Sequence, residues 1–297
     1  MSTEHTITDQ ELAASLGDTF TSEFAEVNGV RLHYVSGGEG PPLVLLPGWP
    51  ETWWEYRKLM PALAERHRVI AVDIRGMGAS EKPESGFEKK TMARDIKELI
   101  HHLGYERAAV AGHGIGAMVA YACAANHPEV VEKVAILNTT HIDDSYYDFP
   151  MVPRPGDAPP HRWWLAFNQV RELPEQLLAG RSRHIIDYMF GISLVNPDAI
   201  TDFDRRVYAQ AYDAPGAIRA CTGWFQTYQQ DIADFASYPR VTVEMLGLAY
   251  GPFFAYMEKA LTASGTNVRV AEIKGSRNYL VEEQPEAVLA AFADFFN

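Results

Sequence analysis

Residues 107–126 read RAAVAGHGIGAMVAYACAAN, and the fold is decided there. Arg107 to Ala111 is a short apolar run with the composition of a buried strand. It leads into Gly112-His113-Gly114-Ile115-Gly116, after which Gly116 to Asn126 predicts a helix. Strand, sharp glycine-bounded turn and helix form the context of a nucleophile elbow. In that motif the strained turn lifts the residue between the glycines over the end of a sheet, near free backbone N–H groups. In this chain that residue is Gly114, which has no side chain to present.

Outward from the turn, the pattern is that of a parallel sheet. Strand composition begins at Phe24, and Val30 to Val35, Leu43 to Leu46 and Arg68 to Val72 read as buried strands bounded by Gly, Pro or polar turns. Trp53 to Arg66 is predicted helical. Met92, Ile96, Leu99, Ile100 and Leu103 lie on one helical stripe that ends at Gly104, and Lys133 to Leu137 is the next strand. Alternating strands and helices of this kind predict an α/β fold. Thr8 and Glu11 have capping-box spacing ahead of a short helix that runs to Gly17. After His141 comes a Pro-rich stretch, Phe149 to Pro160, and then helix-like runs without a convincing strand as far as Tyr238. Alternation resumes with strand Val241 to Leu246, helix Phe253 to Ser264, strand Val268 to Ile273 and a closing helix from Pro285. The expected organisation is therefore a core over 1–143, a helical lid insertion over 144–238 and the rest of the core over 239–297.

Composition narrows the partners. A chain of 297 residues that is 47% hydrophobic buries a sizeable core, and 26 basic against 39 acidic residues leave a formal charge of −13. That charge repels nucleic acid and anionic membranes, so the expected partners are a small molecule or protein, a homodimer included. The opening residues lack a basic segment followed by an apolar stretch, and no apolar run is long enough to span a bilayer, which predicts a cytoplasmic protein. Cys123 and Cys221 lie in helical segments and read as buried thiols rather than a disulfide or metal site. Neither a metal nor a cofactor is expected.

Four blocks carry a family resemblance. They are Gly48-Trp49-Pro50-Glu51-Thr52-Trp53-Trp54-Glu55-Tyr56-Arg57, Asp73-Ile74-Arg75-Gly76-Met77-Gly78-Ala79-Ser80, the elbow, and Glu282-Glu283-Gln284-Pro285-Glu286. With these blocks in this order, nearly the whole chain resembles the epoxide hydrolase and dehalogenase branch of the α/β-hydrolase fold. The resemblance implies an Asp nucleophile that forms an alkyl-enzyme ester, a His that activates water, a supporting acid, and lid tyrosines that polarise an epoxide oxygen. Residue by residue, this chain departs from that set. The nucleophile position is Gly114. The histidine position, in Gly275-Ser276-Arg277-Asn278-Tyr279, is Asn278, and the acid falls around Ala249 or at Asn138. Oxyanion donors implied by the resemblance survive as the backbone N–H groups of Trp49 and Ile115. The lid tyrosine, within Thr222 to Tyr228, matches Phe225. His113 stands at a position where relatives also have His and where it serves packing and turn geometry.

Other residues are candidates for inherited roles. His141 follows the strand that ends near Asn138, at the carboxyl edge of the sheet, with Asp143 or Asp144 close enough to orient it; a solvated loop histidine is the alternative. Tyr279 and Arg277 offer a weak acid and a cation to an enolate or phenolate. Gly114 leaves room for a planar group, and Asn138 and Asn278 offer amide hydrogen bonds to each other or to a ligand. Trp49, Trp53, Trp54, Trp163, Trp164, Phe167, Trp224, Phe225, Phe253 and Phe254 fall in segments that the topology places around a pocket mouth, and about half are expected to line it. Three functions remain open. The first is a non-hydrolytic enzyme acting on a bulky aromatic metabolite, as triad-poor relatives do in aromatic polyketide and anthraquinone-fused enediyne pathways. The second is a small-molecule receptor, and the third a hydrolase with another nucleophile.

Overall fold

The computed structural model describes residues 6–149 and 162–297. Its sheet contains β1 (Thr21–Val27), β2 (Val30–Gly37), β3 (Pro42–Leu46), β4 (Arg68–Asp73), β5 (Ala108–His113), β6 (Val131–Leu137), β7 (Glu244–Ala249) and β8 (Val268–Glu272). They are ordered β1-β2-β4-β3-β5-β6-β7-β8. β2 runs antiparallel to β1 and β4, and the strands from β4 across to β8 are parallel. Every residue of β5 and Leu43–Leu46 of β3 are buried, as strands covered on both faces must be. The α/β class expected from the sequence is the observed one.

Strand order places the site. The chain passes from β3 to β4 on one side and then crosses to β5 on the other, so the loops leaving β3 and β5 diverge at their carboxyl ends. Such a reversal opens a crevice where α/β sheets bind ligands. Pro47 to Pro50 follows β3 and Gly114 follows β5, which brings the chemistry-bearing turns to the edges of that crevice.

Two elements differ from expectation. Trp53 to Arg66 forms a 3-10 helix, Trp53–Lys58, and then a single turn, Met60–Leu63, because Pro61 lacks the N–H that a continuous α-helix requires. Strand β7 begins at Glu244 rather than Val241 and runs on to Ala249. Its partner β6 first pairs at Lys133 opposite Glu244, and Val241 makes only an isolated bridge to Gly265. The capping box at Thr8 and the stripe of helix Lys89–His102 are present as expected, with Gly104 left-handed at φ 84°.

Between β6 and β7 the described residues form helices and no strand: Trp163–Phe167, Leu173–Leu178, Ser182–Ser193, Asp202–Tyr212, Ala217–Gln226 and Tyr228–Phe235. Beyond Phe149, the expected Pro-rich stretch lies outside the described residues. Buried ion pairs hold this helical layer to the core. The Arg57 guanidinium lies between Glu282 and Asp204, 2.9 Å from the latter, and Tyr208 donates to Glu282 over 2.9 Å. Lys89 pairs with Asp231 at 2.7 Å, both buried. Such paired charges lose several kcal/mol only when one partner is removed, roughly 3–5 kcal/mol. Among the described residues no helix is long and apolar enough to cross a membrane.

Candidate active site

Glycines shape the turn for stated reasons. A Cβ on Gly112 would stand 2.2 Å from Gly116 O, and one on Gly116 would stand 2.1 Å from Leu46 O, so strand and helix approach too closely for any side chain. Gly114 at the tip has φ 54° and ψ −122°. A Cβ there would meet only Gly48 Cα at 3.2 Å and Trp49 N at 3.8 Å, so the tip has room but a strained backbone for any other residue. The N–H groups of Trp49 and Ile115 flank it and have no acceptor among the described hydrogen bonds. For Ile115 the cause is its place at the start of helix Ile115–Asn126, whose first N–H groups lack intrahelical partners.

The positions aligned with base and acid meet in space. Asn138 Nδ2 donates to Asn278 Oδ1 over 3.2 Å and to Asn278 O over 3.0 Å, while Tyr250 N donates to Asn138 Oδ1 over 3.3 Å. Asn138 sits at φ 52°, a left-handed conformation that asparagine tolerates. An amide pair therefore stands at the positions that the family resemblance gives to the acid and the base, and an amide takes no proton near neutral pH. Beside it, Tyr279 is buried, its hydroxyl has no partner, and its ring packs edge-on against Phe190 at 4.8 Å. Burial, with Glu51 and Glu55 nearby, pushes this phenol well above its ordinary value. It stays protonated and able to donate.

His113 faces away from the tip. Its Nε2–H donates to Asn278 O over 2.8 Å, and Nδ1 lies 3.0 Å from Glu55 Oε1 and 3.5 Å from Glu51 Oε2, with all three side chains buried. Burial alone would lower the imidazole, but the two carboxyl groups outweigh it and raise it to about 10. Burial and then the nearby Glu55 push the Glu51 carboxyl well up. Burial favours the neutral form of Glu51, the two carboxyl groups favour the protonated imidazole, and the oxygens of Glu51 and Glu55 do not line the cavity.

Comparison with known proteins agrees with this architecture. Residues 41–234 match the model of the alpha/beta hydrolase fold. The soluble epoxide hydrolase of Corynebacterium sp. (strain C12) is 33% identical over 286 residues, covering 93% of this chain and 97% of that protein. This chain belongs to the epoxide-hydrolase-like branch of the α/β-hydrolase fold. Among solved structures, Cfl2 from Burkholderia cenocepacia superposes with a TM-score of 0.83 at 31% identity, covering 94% of this chain and 96% of that one. The epoxide hydrolase CorEH superposes at 0.81 with 30% identity, covering 93% and 98%.

In this member of the α/β-hydrolase fold the tip opens on a cavity of about 440 Å³. Of the residues singled out from the sequence, Trp49, Gly114, Ile115, Asn138, Trp164, Phe225, Phe253, Arg277, Asn278 and Tyr279 line it. The others do not. Trp53 and Trp224 are fully buried in the core, their indole N–H groups held by Asp9 over 2.7 Å and Arg75 O over 2.8 Å. Trp54 is likewise a core residue, bonded to Asp204. Trp163 packs on Phe167 and Tyr188 in the helical layer, and neither Trp163 nor Phe167 reaches the cavity wall; Phe254 packs against the core instead. His141 lies in a separate cavity, stacked on Phe235 at 3.6 Å, with burial pushing it down to about 4 and its Nδ1 3.8 Å from Asp143. A side chain sharing the sheet edge with Asn138 is thus turned behind it.

Sequence reasoning missed Arg162, Tyr146 and Tyr228, which also line the cavity, and the partners of His113. Glu51 and Glu55 stand four apart in a quoted block, a spacing that hinted at a shared face. Nothing in the sequence pointed to Arg162. Two carboxylate–imidazole clusters form, Glu51 with Glu55 and His113, and Asp9 with His33 and Asp73; within each the side chains lie at ligand distance although the histidine is far from its acids in the sequence. The second binds structure: His33 donates to Asp73 over 2.7 Å, and Asp73 accepts from Trp53 N and Ala79 N. Both cysteines are buried, and burial raises their thiols to about 12.

Proposed function

We propose that this chain is a non-hydrolytic, cofactor-independent enzyme that holds a bulky aromatic or polycyclic metabolite under its helical lid, residues 144–238, and guides a cyclisation, rearrangement or carbon–carbon bond formation. One observation carries the reading. Among the described residues, no carboxylate, imidazole, thiol or amine lines the cavity at the elbow. Covalent hydrolysis needs both an attacking group and a base to activate water, and the tip supplies neither. What remains is a set of fixed donors: the Trp49 and Ile115 N–H groups, Asn278, and the protonated Tyr279 hydroxyl. Donors of that kind stabilise a developing enolate or phenolate, each worth roughly 3–4 kcal/mol in a water-poor site. The cavity is large enough to orient a drug-sized ligand, and in its wall Trp49 meets Phe225 and Tyr146 meets Tyr228 edge-on at 5.7 and 5.8 Å, with Phe225 tilted on Tyr228 at 5.4 Å.

The test is incubation with polycyclic phenolic metabolites in ¹⁸O-labelled water. The expected outcome is conversion without label, slowed about 100-fold or more in Tyr279→Phe. Turnover of a simple ester or epoxide panel with label uptake would overturn it. The same lack of reactive groups suits a small-molecule receptor, and tight binding with no conversion of any bound metabolite would select that reading.

A further inference from the structure

Charge in the elbow cavity is opposite to that of the chain. The protein carries 39 acidic residues against 26 basic ones, yet among the described residues the cavity is lined by Arg162 and Arg277 and by no Asp or Glu. Elsewhere in the core and helical layer, Arg57 is matched by Glu282 and Asp204, Arg75 by Asp95 and Arg183 by Asp187, while Arg68 is held by Ser36 Oγ and Gly38 O. The two cavity arginines are not matched in this way. Arg277 donates to Ile192 O over 3.3 Å, and the Arg162 guanidinium lies over the Phe149 ring at 3.9 Å. Neither has a carboxylate within ion-pair distance among the described residues.

The neutral polar groups point to the same chemistry. The buried Tyr279 hydroxyl has no partner, and the Trp49 and Ile115 N–H groups have no acceptor. The amide oxygens of Asn138 and Asn278 are already occupied, by Tyr250 N and by Asn138 Nδ2. The two guanidiniums and the Trp49 and Ile115 N–H groups can only donate, so a ligand rich in acceptors is the one that satisfies them. A planar guanidinium fits a carboxylate in two parallel hydrogen bonds and also pairs with a phenolate.

We infer that the ligand of this cavity is an aromatic oxyanion, a ring system bearing a carboxylate or an ionised phenol, with Arg162 and Arg277 as its specificity-determining contacts. This deepens the proposed function and rests on the cavity being the substrate site. Neither arginine is a catalytic group in this reading: they select and orient the anion.

The experiment measures binding of anthraquinone-2-carboxylate and of its neutral carboxamide, followed through quenching of tryptophan fluorescence, which Trp49 and Trp164 in the wall report. A hydroxyanthraquinone, titrated across its own ionisation, separates phenolate from carboxylate recognition. The expected result is carboxylate binding about tenfold tighter than carboxamide. The preference should shrink in Arg277→Gln, vanish in Arg162→Gln/Arg277→Gln, and weaken in about 0.5 M salt while carboxamide affinity stays level. Arg277 is exposed, so its replacement leaves the fold intact. Equal binding of both probes, or an equal loss for both in the variants, overturns the oxyanion inference and leaves the aromatic cavity standing. Failure of both probes to bind overturns the cavity reading itself, and the inference with it.

Discussion

On one side of the turn His113 lies buried with Glu51 and Glu55; on the other Gly114 opens on a cavity with no carboxylate, imidazole or thiol among its described lining residues. The two residues are adjacent in the chain. Acids and an imidazole meet where they hold structure together, and none is among the described residues that line the cavity at the tip. Burial explains why the first set is inert. The His113 proton is held by two carboxyl groups and a backbone carbonyl, and no described cavity wall exposes it.

The comparison breaks most visibly at His113. His113→Gln leaves the two carboxyl groups without their cation, and a loss of roughly 3–5 kcal/mol is expected in urea denaturation. Wild-type stability has a matching pH dependence. His113 is raised from 6.5 to about 10, so the folded chain binds more protons than the unfolded one across that window. Stability present below 6.5 is lost as pH rises toward 10, and the raised Glu51 carboxyl tilts the curve the same way. His113→Gln should flatten the slope, and an equally steep curve in the variant would show that the cluster does not carry it.

Gly114→Asp probes the other side. A side chain at φ 54° costs about 1–3 kcal/mol of stability, measurable in the same denaturation series. It also supplies an attacking carboxylate beside the Trp49 and Ile115 donors, with Asn278 still unable to activate water. Incubation with a reactive aromatic epoxide should yield a stable ester whose mass exceeds the protein's by one whole epoxide. Gly114→Asp/Asn278→His should release it as diol. Absence of any adduct would mean that the tip does not face the cavity. The smallest effect is expected at Glu51→Gln. Burial and the nearby Glu55 already push this carboxyl toward its neutral form, so stability should change by less than about 1 kcal/mol, and a large loss would show that its charge holds His113.

Much of this was legible before any coordinates. The apolar runs of β3 to β6, the stripe of helix Lys89–His102 and the glycine spacing of the turn are local signals, written in neighbouring residues. The glycine at the tip and the amide at Asn278 could be read from the sequence too, because blocks that resemble the family bracket both positions. Errors fell where a side chain could turn either way. Trp49 and Trp53 stand four apart in one block, yet Trp49 lines the cavity while Trp53 sits in the core with its N–H on Asp9. His141 follows Asn138 by three residues and enters another cavity.

The sequence alone determined the order of strands and helices, the bare apex of the turn and the amide at the position that the resemblance gives to the base, since each depends on residue type and near spacing. Only the tertiary structure decided which aromatics meet the cavity, which carboxyl groups hold His113, and that Arg162 and Arg277 share a wall. Those choices join residues far apart in the chain: Arg57 reaches Glu282 across 225 positions. Spacing carries no record of such a meeting, because packing selects partners by direction and distance in space.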